Sequence, residues 1–517
     1  MRTTAFLIIS FVFISLGYSQ LILIENISSE QLFTVQKNAQ TVIPINDKDA
    51  LILNGMVVAT DLSTRILEKK FDAGADNYFI LYPVGNRNVD LLKKHGTILY
   101  NAGSYLIFKT PLKLLNTVSL FDSYKIVAVR NRPAARAAQA KPFIHTASGH
   151  IDSTIFKILD SVNIDTLWKR IEKLQTLERY TTSAKVTESV DYITNYMKTL
   201  DFDTVYKHTY GSGYSPNIVG IKFGKVSPDE IYLLGAHYDS YSAGMPAADD
   251  NGSGTAGVME AARVLLRHDF KRTLRFVLFS GEEMGLDGSA AYAKKAADNN
   301  DNILGMINMD MIAWNNVTKV QVFIAFRKSD PAFYNTFCAN AVKYIPSITC
   351  VDGSSSQWAN GSDHVSFWNN GYPNALYLGD DLINKNHPYF HKSTDVVGTS
   401  VNSKPTAEMF LKAAVANMAE LGQVWSPTLV DHSPENNLAE NIRFSFDART
   451  RWINFNFPNT PGTVGIKIYT IKGQPVMQTK SINSSTGSLD LSACAPGVYL
   501  ITLKSDAVSM SNKLVIH

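Results

Sequence analysis

The sequence predicts an α/β fold, a mostly parallel central sheet flanked by helices, preceded by a small α+β domain and followed by a small β-sandwich. Three observations carry that prediction. Strand-like and helical segments alternate between about residues 150 and 425, short apolar runs separated by turn residues fill the stretch before residue 130, and alternating strands recur after residue 433. With 517 residues, 45% of them hydrophobic and 18% charged, the chain has material for more than one packed core.

The beginning of the chain has the pattern of a signal peptide over residues 1–19. Arg2 supplies the positive charge, Phe6 to Leu16 the apolar core, and Gly17, Tyr18 and Ser19 a small-residue cleavage site. The chain is therefore expected to be exported through the inner membrane, and so to be secreted or held at the cell surface. The apolar run is shorter than the roughly 20 residues a spanning helix needs, and no later stretch reaches that length, so no stable membrane insertion is expected. A net charge of +3 without a dense Lys/Arg block offers no footprint for nucleic acid. Cys338, Cys350 and Cys494 are too few for a disulfide frame and too scattered for a thiolate zinc site; the first two could pair in an exported chain, or stay as thiols.

Residues 20–130 hold apolar runs at Asp49–Leu53, Tyr78–Tyr82, Tyr105–Phe108 and Lys125–Val129, bounded by Gly, Asn and Asp, with helical spacing at Val89–Lys94. This is the small α+β domain. Residues 131–150 read as a linker: Asn131–Lys141 has small residues, isolated basic side chains and no apolar period. A trypsin-like cut at an arginine there would make the N-terminal domain a propeptide.

Residues 151–425 form the central domain. Ile164, Leu167, Trp168, Ile171 and Leu174 recur at helical spacing, as do Val190, Ile193, Met197 and Leu200. Strands then alternate with helices: Asn217–Ile221, Ile231–Gly235, the helix Thr255–Leu266, Leu274–Phe279, the helix Ser289–Ala297, and Leu304–Asn308. That order implies βαβ units and a sheet covered on both faces. From residue 433 to 517 short alternating runs such as Trp452–Phe457, Val464–Tyr469 and Val498–Leu503 predict the β-sandwich.

Chemistry concentrates at the ends of the central strands, where open parallel sheets bind ligands. One strand runs into His237 and Asp239; a Gly-rich turn follows, with Asp249 and Asp250 ahead of Asn251, Gly252, Ser253 and Gly254. The next strand ends in Glu282 and Glu283, and the one after in Asp310. So many carboxylates in one crevice repel each other strongly unless cations neutralise them. A second imidazole must come from downstream; His364, His387 and His391 are candidates among which spacing alone does not choose. No Gly-x-Ser-x-Gly elbow stands at a strand-to-helix turn, and no Cys has an evident His partner, which disfavours serine or cysteine nucleophiles.

Six motifs follow in order: His-x-Asp at 237–239, Asp-Asn-x-Ser-Gly at 250–254, Glu-Glu-x-Gly-Leu-x-Gly-Ser at 282–289, Asn-x-Asp-Met at 308–311, Ser-Asp-His at 362–364, and His-x-x-x-Asp at 391–395. Together they resemble the dizinc aminopeptidase family that also contains glutamate carboxypeptidase-like and glutaminyl cyclase-like relatives, over about residues 150 to 425. The resemblance implies two Zn2+ ions, with His237 and Asp310 on one, Glu283 and His391 on the other, and Asp250 bridging them. It selects Asp250 over Asp249 because the family's bridging Asp directly precedes the Asn of the turn, and His391 over His387 because Asp395 follows four positions on. By the same resemblance Glu282 is the catalytic base, Asp239 fixes the His237 ring and Asp363 orients another ligand. Retention of His237 sets the chain apart from the single-zinc cyclase branch. The implied activity is removal of N-terminal residues from peptide substrates, with a carboxypeptidase, a dipeptidase or a non-catalytic adhesion protein on the same fold as alternatives.

The ending of the chain, Leu489–Ser492, then Pro496–Ile501 and Lys513–Ile516, resembles the C-terminal sorting domain read by the type IX secretion system. That likeness implies the secretion machinery as a partner.

Overall fold

The computed structural model describes residues 20–28, 31, 35, 41–45, 48–53, 62–69, 71, 77–83, 89–111, 124–129, 151–317, 319–354, 360–379, 387–425, 443–447, 451–456, 464–470, 475–482, 486–495, 497–504 and 509–516. The signal peptide expected over residues 1–19 and the linker expected over 131–150 lie outside them. Residues 1–424 form one compact unit and residues 425–517 a second.

The first unit opens with two four-stranded antiparallel sheets. One is built from β1 (Leu21–Glu25), β2 (Thr41–Pro44), β3 (Ala50–Leu53) and β4 (Ser63–Glu68), in the order β2-β3-β1-β4. The other is built from β5 (Asn77–Pro83), β6 (Thr97–Asn101), β7 (Leu106–Thr110) and β8 (Tyr124–Val129), in the order β6-β7-β5-β8, with helix α1 (Val89–His95) before β6. β8 is the edge of its sheet, yet all six of its residues are buried. An edge strand presents unpaired backbone groups and is normally kept polar or covered; here the rest of the unit covers it.

The central sheet has eight strands: β9 (Thr204–His208), β10 (Asn217–Lys222), β11 (Ser227–His237), β12 (Arg272–Phe279), β13 (Asn302–Asp310), β14 (Val322–Ala325), β15 (Cys350–Asp352) and β16 (Ala375–Gly379). Their order is β15-β14-β16-β13-β11-β12-β10-β9, and the four central strands β16, β13, β11 and β12 run parallel. β11 is buried from Ile231 to His237, as a strand covered on both faces must be. The mixed, mostly parallel sheet is the α/β architecture expected from the sequence, and the antiparallel strands sit towards its edges.

Helices supply the covering layers. α2 (Ser153–Asp160), α3 (Ile164–Leu174) and α4 (Thr187–Lys198) precede the sheet in the chain; α5 (Gly254–Leu265), α6 (Asp287–Asp298), α7 (Ala332–Tyr344), α8 (His364–Trp368) and α9 (Lys404–Gly422) connect and follow its strands. α3 begins where the Asn163 side chain accepts the Thr166 N–H at 2.9 Å, and it buries Leu167, Ile171 and Leu174, the apolar stripe visible in the sequence. α9 starts at the Ser403 cap with Pro405 in its first turn and buries an alanine-rich face. Each fully buried Leu, Ile or Phe in this core contributes roughly 1.5–3 kcal/mol, so the parallel strands carrying the site rest on a rigid base.

The second unit holds a three-stranded antiparallel sheet, β17 (Arg443–Asp447), β18 (Trp452–Asn456) and β21 (Thr486–Asp490), and a four-stranded one, β19 (Val464–Thr470), β20 (Pro475–Ile482), β22 (Gly497–Lys504) and β23 (Ser509–Ile516). Ile453, Phe455, Ile466, Ile468, Leu489 and Ile501 from both sheets share one core. Cys494 is a buried free thiol in it, while Cys338 and Cys350 are free thiols beside each other in the first unit. Among the described residues no helix is long and apolar enough to cross a membrane.

Candidate metal centre

Three neighbouring parallel strands deliver metal-binding side chains to one edge of the sheet. β11 ends in His237, which lies in register with Phe279 at the end of β12. The chain then turns through Gly281, whose φ of +72° suits glycine, to present Glu282 and Glu283. β13 ends in Asp310.

Asp250 arrives differently, on a turn between β11 and α5 that the surrounding structure grips at several points. The Asp395 carboxylate accepts the backbone N–H of Asp249 at 2.8 Å and of Asp250 at 3.0 Å. Asn251 accepts from Gly254 N (2.8 Å) and Met311 N (3.2 Å) and donates to the Met309 carbonyl (3.0 Å). The Ser253 hydroxyl accepts from Ile312 N at 3.0 Å. The turn is thus stitched to the end of β13 by hydrogen bonds.

These residues converge on three groups able to hold a metal ion; one is His237, Glu282 and Glu283, and the other two share Asp250. Of these two, His237, Asp250 and Asp310 form one, and Asp250, Glu283 and His391 the other. The Asp250 Oδ1 atom lies 3.5 Å from His237 Nε2, which in turn lies 3.4 Å from Asp310 Oδ1. The Asp250 Oδ2 atom lies 3.4 Å from His391 Nε2, which lies 3.0 Å from Glu283 Oε2. Donor atoms bound about 2.0–2.2 Å from a tetrahedral zinc ion are separated by roughly 3.3–3.6 Å; the 3.4 and 3.5 Å separations around His237 and the 3.4 Å one from Asp250 to His391 match that spacing, and the 3.0 Å between His391 and Glu283 is shorter.

The burial and hydrogen bonding of these atoms argue the same way. All five side chains and Glu282 are buried. His237 Nε2, both Asp250 carboxylate oxygens, Glu283 Oε1 and Asp310 Oδ1 have no hydrogen-bond partner among the described residues. Buried polar atoms left in this state are costly, and a set of them aimed at one another is what a divalent cation would satisfy.

The charges divide the carboxylates. Burial alone would raise Asp250 and Asp310, but Lys125 and His237 hold both below the ordinary carboxylate range. Glu282 and Glu283 are pushed well above it by burial, reinforced by neighbouring carboxylates. Burial opposes a charge on His237, and Glu282 and Asp310 overcome that opposition and raise it.

A surrounding shell fixes these groups. The Asp239 carboxylate accepts the backbone N–H of Glu282 and of Glu283, each at 3.2 Å, and lies 3.5 Å from His237 Nδ1; its own carbonyl is nearer that nitrogen, at 3.2 Å. Asp239 therefore grips the Glu282–Glu283 backbone as well as facing the His237 ring. Ser362 donates to Asp310 Oδ2 at 2.7 Å and accepts from Asn308 at 2.8 Å. The His391 ring is stacked between Tyr241 (3.9 Å) and Phe390 (3.7 Å). Asp363 is buried on the side of Ser289 and His237, and burial lifts its carboxyl to about 7.

The structure brings His237, Asp239, Asp250, Glu282, Glu283, Asp310 and His391 together, whereas neither Asp363 carboxylate oxygen hydrogen-bonds a ligand among the described residues, and Asp249 and His387 face each other. Asp249 accepts the Ala313 N–H at 2.9 Å, and its other oxygen lies 3.2 Å from His387 Nε2. Two contributors were not legible in the sequence. Arg179, fully buried, donates to the carbonyls of Tyr238 (3.0 Å), Pro246 (2.7 Å) and Ala247 (2.6 Å), pinning the loop between His237 and Asp250. Lys125 of β8 reaches the carboxylates from the N-terminal sheet, with Nζ 3.5 Å from Glu282 Oε1. No motif marks either; Lys125 lay in an apolar run read only as a strand.

Comparison with known proteins bears on the central and C-terminal residues. Residues 217–415 match the model of peptidase family M28, and residues 450–517 that of a secretion system C-terminal sorting domain. A protein of Arthroderma otae named "Probable leucine aminopeptidase" is 32% identical over 183 residues, 33% of this chain and 48% of that protein. A "Probable zinc metalloprotease" of Pyrenophora tritici-repentis is 26% identical over 280 residues, 46% of this chain and 57% of that protein. The chain thus spans about half the length of these curated relatives. The crystal structure of the LapA aminopeptidase of Legionella pneumophila shares the fold, with a TM-score of 0.55 and 19% identity over 68% of this chain and 99% of that one.

Proposed function

We propose, from the premise that over residues 217–415 this chain belongs to peptidase family M28 and over 450–517 carries a secretion system sorting domain, that it is an exported two-zinc aminopeptidase. The observation that carries the reading is Asp250, whose two oxygens face separate histidine–carboxylate groups at 3.4 and 3.5 Å. A carboxylate placed this way serves as the bridge of a binuclear site. Two relatives support the metal and the direction of attack, one by its zinc metalloprotease name and the other by its leucine aminopeptidase name.

In this reading His237 and Asp310 would hold one zinc ion, Glu283 and His391 the other, and Asp250 would contribute to both. Zinc bound there would supply a Lewis acid for the peptide carbonyl and would lower the pKa of a bound water to about 7. Glu282 moves the protons. Its carboxylate takes a proton from the attacking water and returns it to the departing amine, a task suited to a group that burial pushes above the usual glutamate range. Asp239 keeps Glu282 and Glu283 diverging to their separate tasks by holding both their amides. The sorting domain gives the protein its route out of the cell, and peptides are its substrates.

Glu282→Gln tests the assignment: zinc content is expected to stay unchanged while kcat falls by about 10²–10⁴-fold. Retained turnover would remove Glu282 as the base. A panel of peptides with free and blocked N-termini tests the direction of attack, and cleavage of blocked peptides would contradict an aminopeptidase.

A further inference from the structure

Lys125 brings the N-terminal sheet into the metal centre. Its Nζ lies 3.5 Å from Glu282 Oε1, 3.7 Å from Asp310 Oδ2 and 3.9 Å from Asp250 Oδ1, with the side chain only 3% exposed. It also lies 5.3 Å from the centre of the Phe390 ring, next to His391. A buried ammonium is costly unless paired, and here the pairing groups are the bridge, one further ligand and the proposed base.

The strand that carries Lys125 is seated with it. Tyr124, Ile126 and Ala128 of β8 share an apolar cluster with Tyr241 and Met284. Tyr241 is the ring stacked on His391, and Met284 directly follows Glu283. Gly285, with φ of +104°, lets β8 pass so near that a Cβ there would lie 2.5 Å from the Ala128 Cβ. A substrate needs open approach to Glu282 and the metal ligands, yet with Lys125 against them Glu282, Asp250 and Asp310 are all buried. Just beyond its end at Val129 the sequence offers Arg132, Arg136 and Lys141, where a trypsin-like cut would free it.

We propose that the N-terminal sheet is an internal inhibitor of the central domain, with β8 blocking the substrate's approach and the Lys125 ammonium competing with divalent cation for Asp250 and Asp310. This rests on the two-zinc reading above. Two positive charges cannot share those carboxylates at full strength, so the blocked form binds zinc more weakly and turns over slowly. Release of β8 restores both.

The test uses the full chain in three forms: wild type, Lys125→Met, which keeps the stem and removes the charge, and Ala128→Arg, which wedges β8 away from Gly285. Zinc affinity is read by chelator competition, and hydrolysis of an aminoacyl p-nitroanilide is read at saturating zinc, before and after brief trypsin treatment. We expect Lys125→Met to bind zinc at least about tenfold more tightly, since a charge removed from within 4 Å of two carboxylates is a large term. Ala128→Arg and trypsin-treated wild type are each expected to gain at least about tenfold in kcat/KM. Equal zinc affinity in wild type and Lys125→Met, together with no gain on loosening or cutting, would overturn the inhibitor and leave the peptidase intact. Absence of zinc binding in every form would overturn the two-zinc reading, and the inhibitor with it.

Discussion

The two groups around Asp250 are built by different means. His237 and Asp310 stand at the ends of adjacent parallel strands, β11 and β13, and their positions follow from sheet register. His391 comes from a loop far along the chain, with φ of +55°, and its ring is held by stacking between Tyr241 and Phe390. Glu283 sits between these extremes, just past the end of β12 and held through its amide by Asp239. One group is fixed by hydrogen-bonded backbone, whereas in the other the His391 ring is held by side-chain packing. The difference teaches where precision comes from: sheet register places a ligand almost without further cost, whereas a loop ligand needs walls of its own.

Substitutions can break or sharpen that contrast. The largest effect is expected at the shared atom pair. Asp250→Asn leaves a weaker bridge for both groups, and kcat/KM is expected to fall by at least about a thousandfold, checked by steady-state hydrolysis alongside zinc analysis. Retained activity would mean that the two groups do not depend on one carboxylate.

Asp395 comes next, because it grips the turn rather than any ring. Asp395→Asn replaces one acceptor with a donor facing a backbone N–H, so stability is expected to drop by about 3 kcal/mol in urea unfolding. Turnover is expected to fall with KM little changed, since Asp250 is displaced while the rest of the site stays.

The smallest expected effect lies on the strand side, away from the metals. Asn217 accepts from Ser280 N at 2.9 Å and so offers its NH2 to His208 Nδ1 at 3.0 Å, which leaves that nitrogen no room for a proton. Burial, helped by Lys295, pulls His208 down to about 4. Below pH 6.5 the unfolded chain binds this proton and the folded chain does not, so the stability His208 contributes is present above about 6.5 and is lost as pH falls towards 4. The wild type is expected to lose about 2 kcal/mol more than His208→Gln between pH 7 and pH 4.5, measured by urea unfolding at each pH.

The same contrast explains what could be read from the sequence. Alternating strands and helices gave the central sheet, and three consecutive strands ending in acidic or His residues marked the edge that carries the site. The loop ligand was not legible from spacing, since His364, His387 and His391 satisfy it equally; resemblance to a motif singled out His391, and the structure brings that residue, with its stacked ring, to Glu283 and Asp250. The role of Asp395 was also not legible: four residues from His391, it bonds the Asp249 and Asp250 amides. Arg179 and Lys125 act across about 60 and 125 or more intervening residues, and nothing local in sequence announces contacts that only tertiary packing creates.

The most direct test is the zinc stoichiometry of purified, metal-replete protein in wild type, His237→Ala, His391→Ala and Asp250→Ala. The account predicts two zinc ions per chain in the wild type, about one in each histidine variant, and weakened binding of both when Asp250 is lost. A wild-type chain that binds a single ion, unaffected by loss of either histidine, would contradict it.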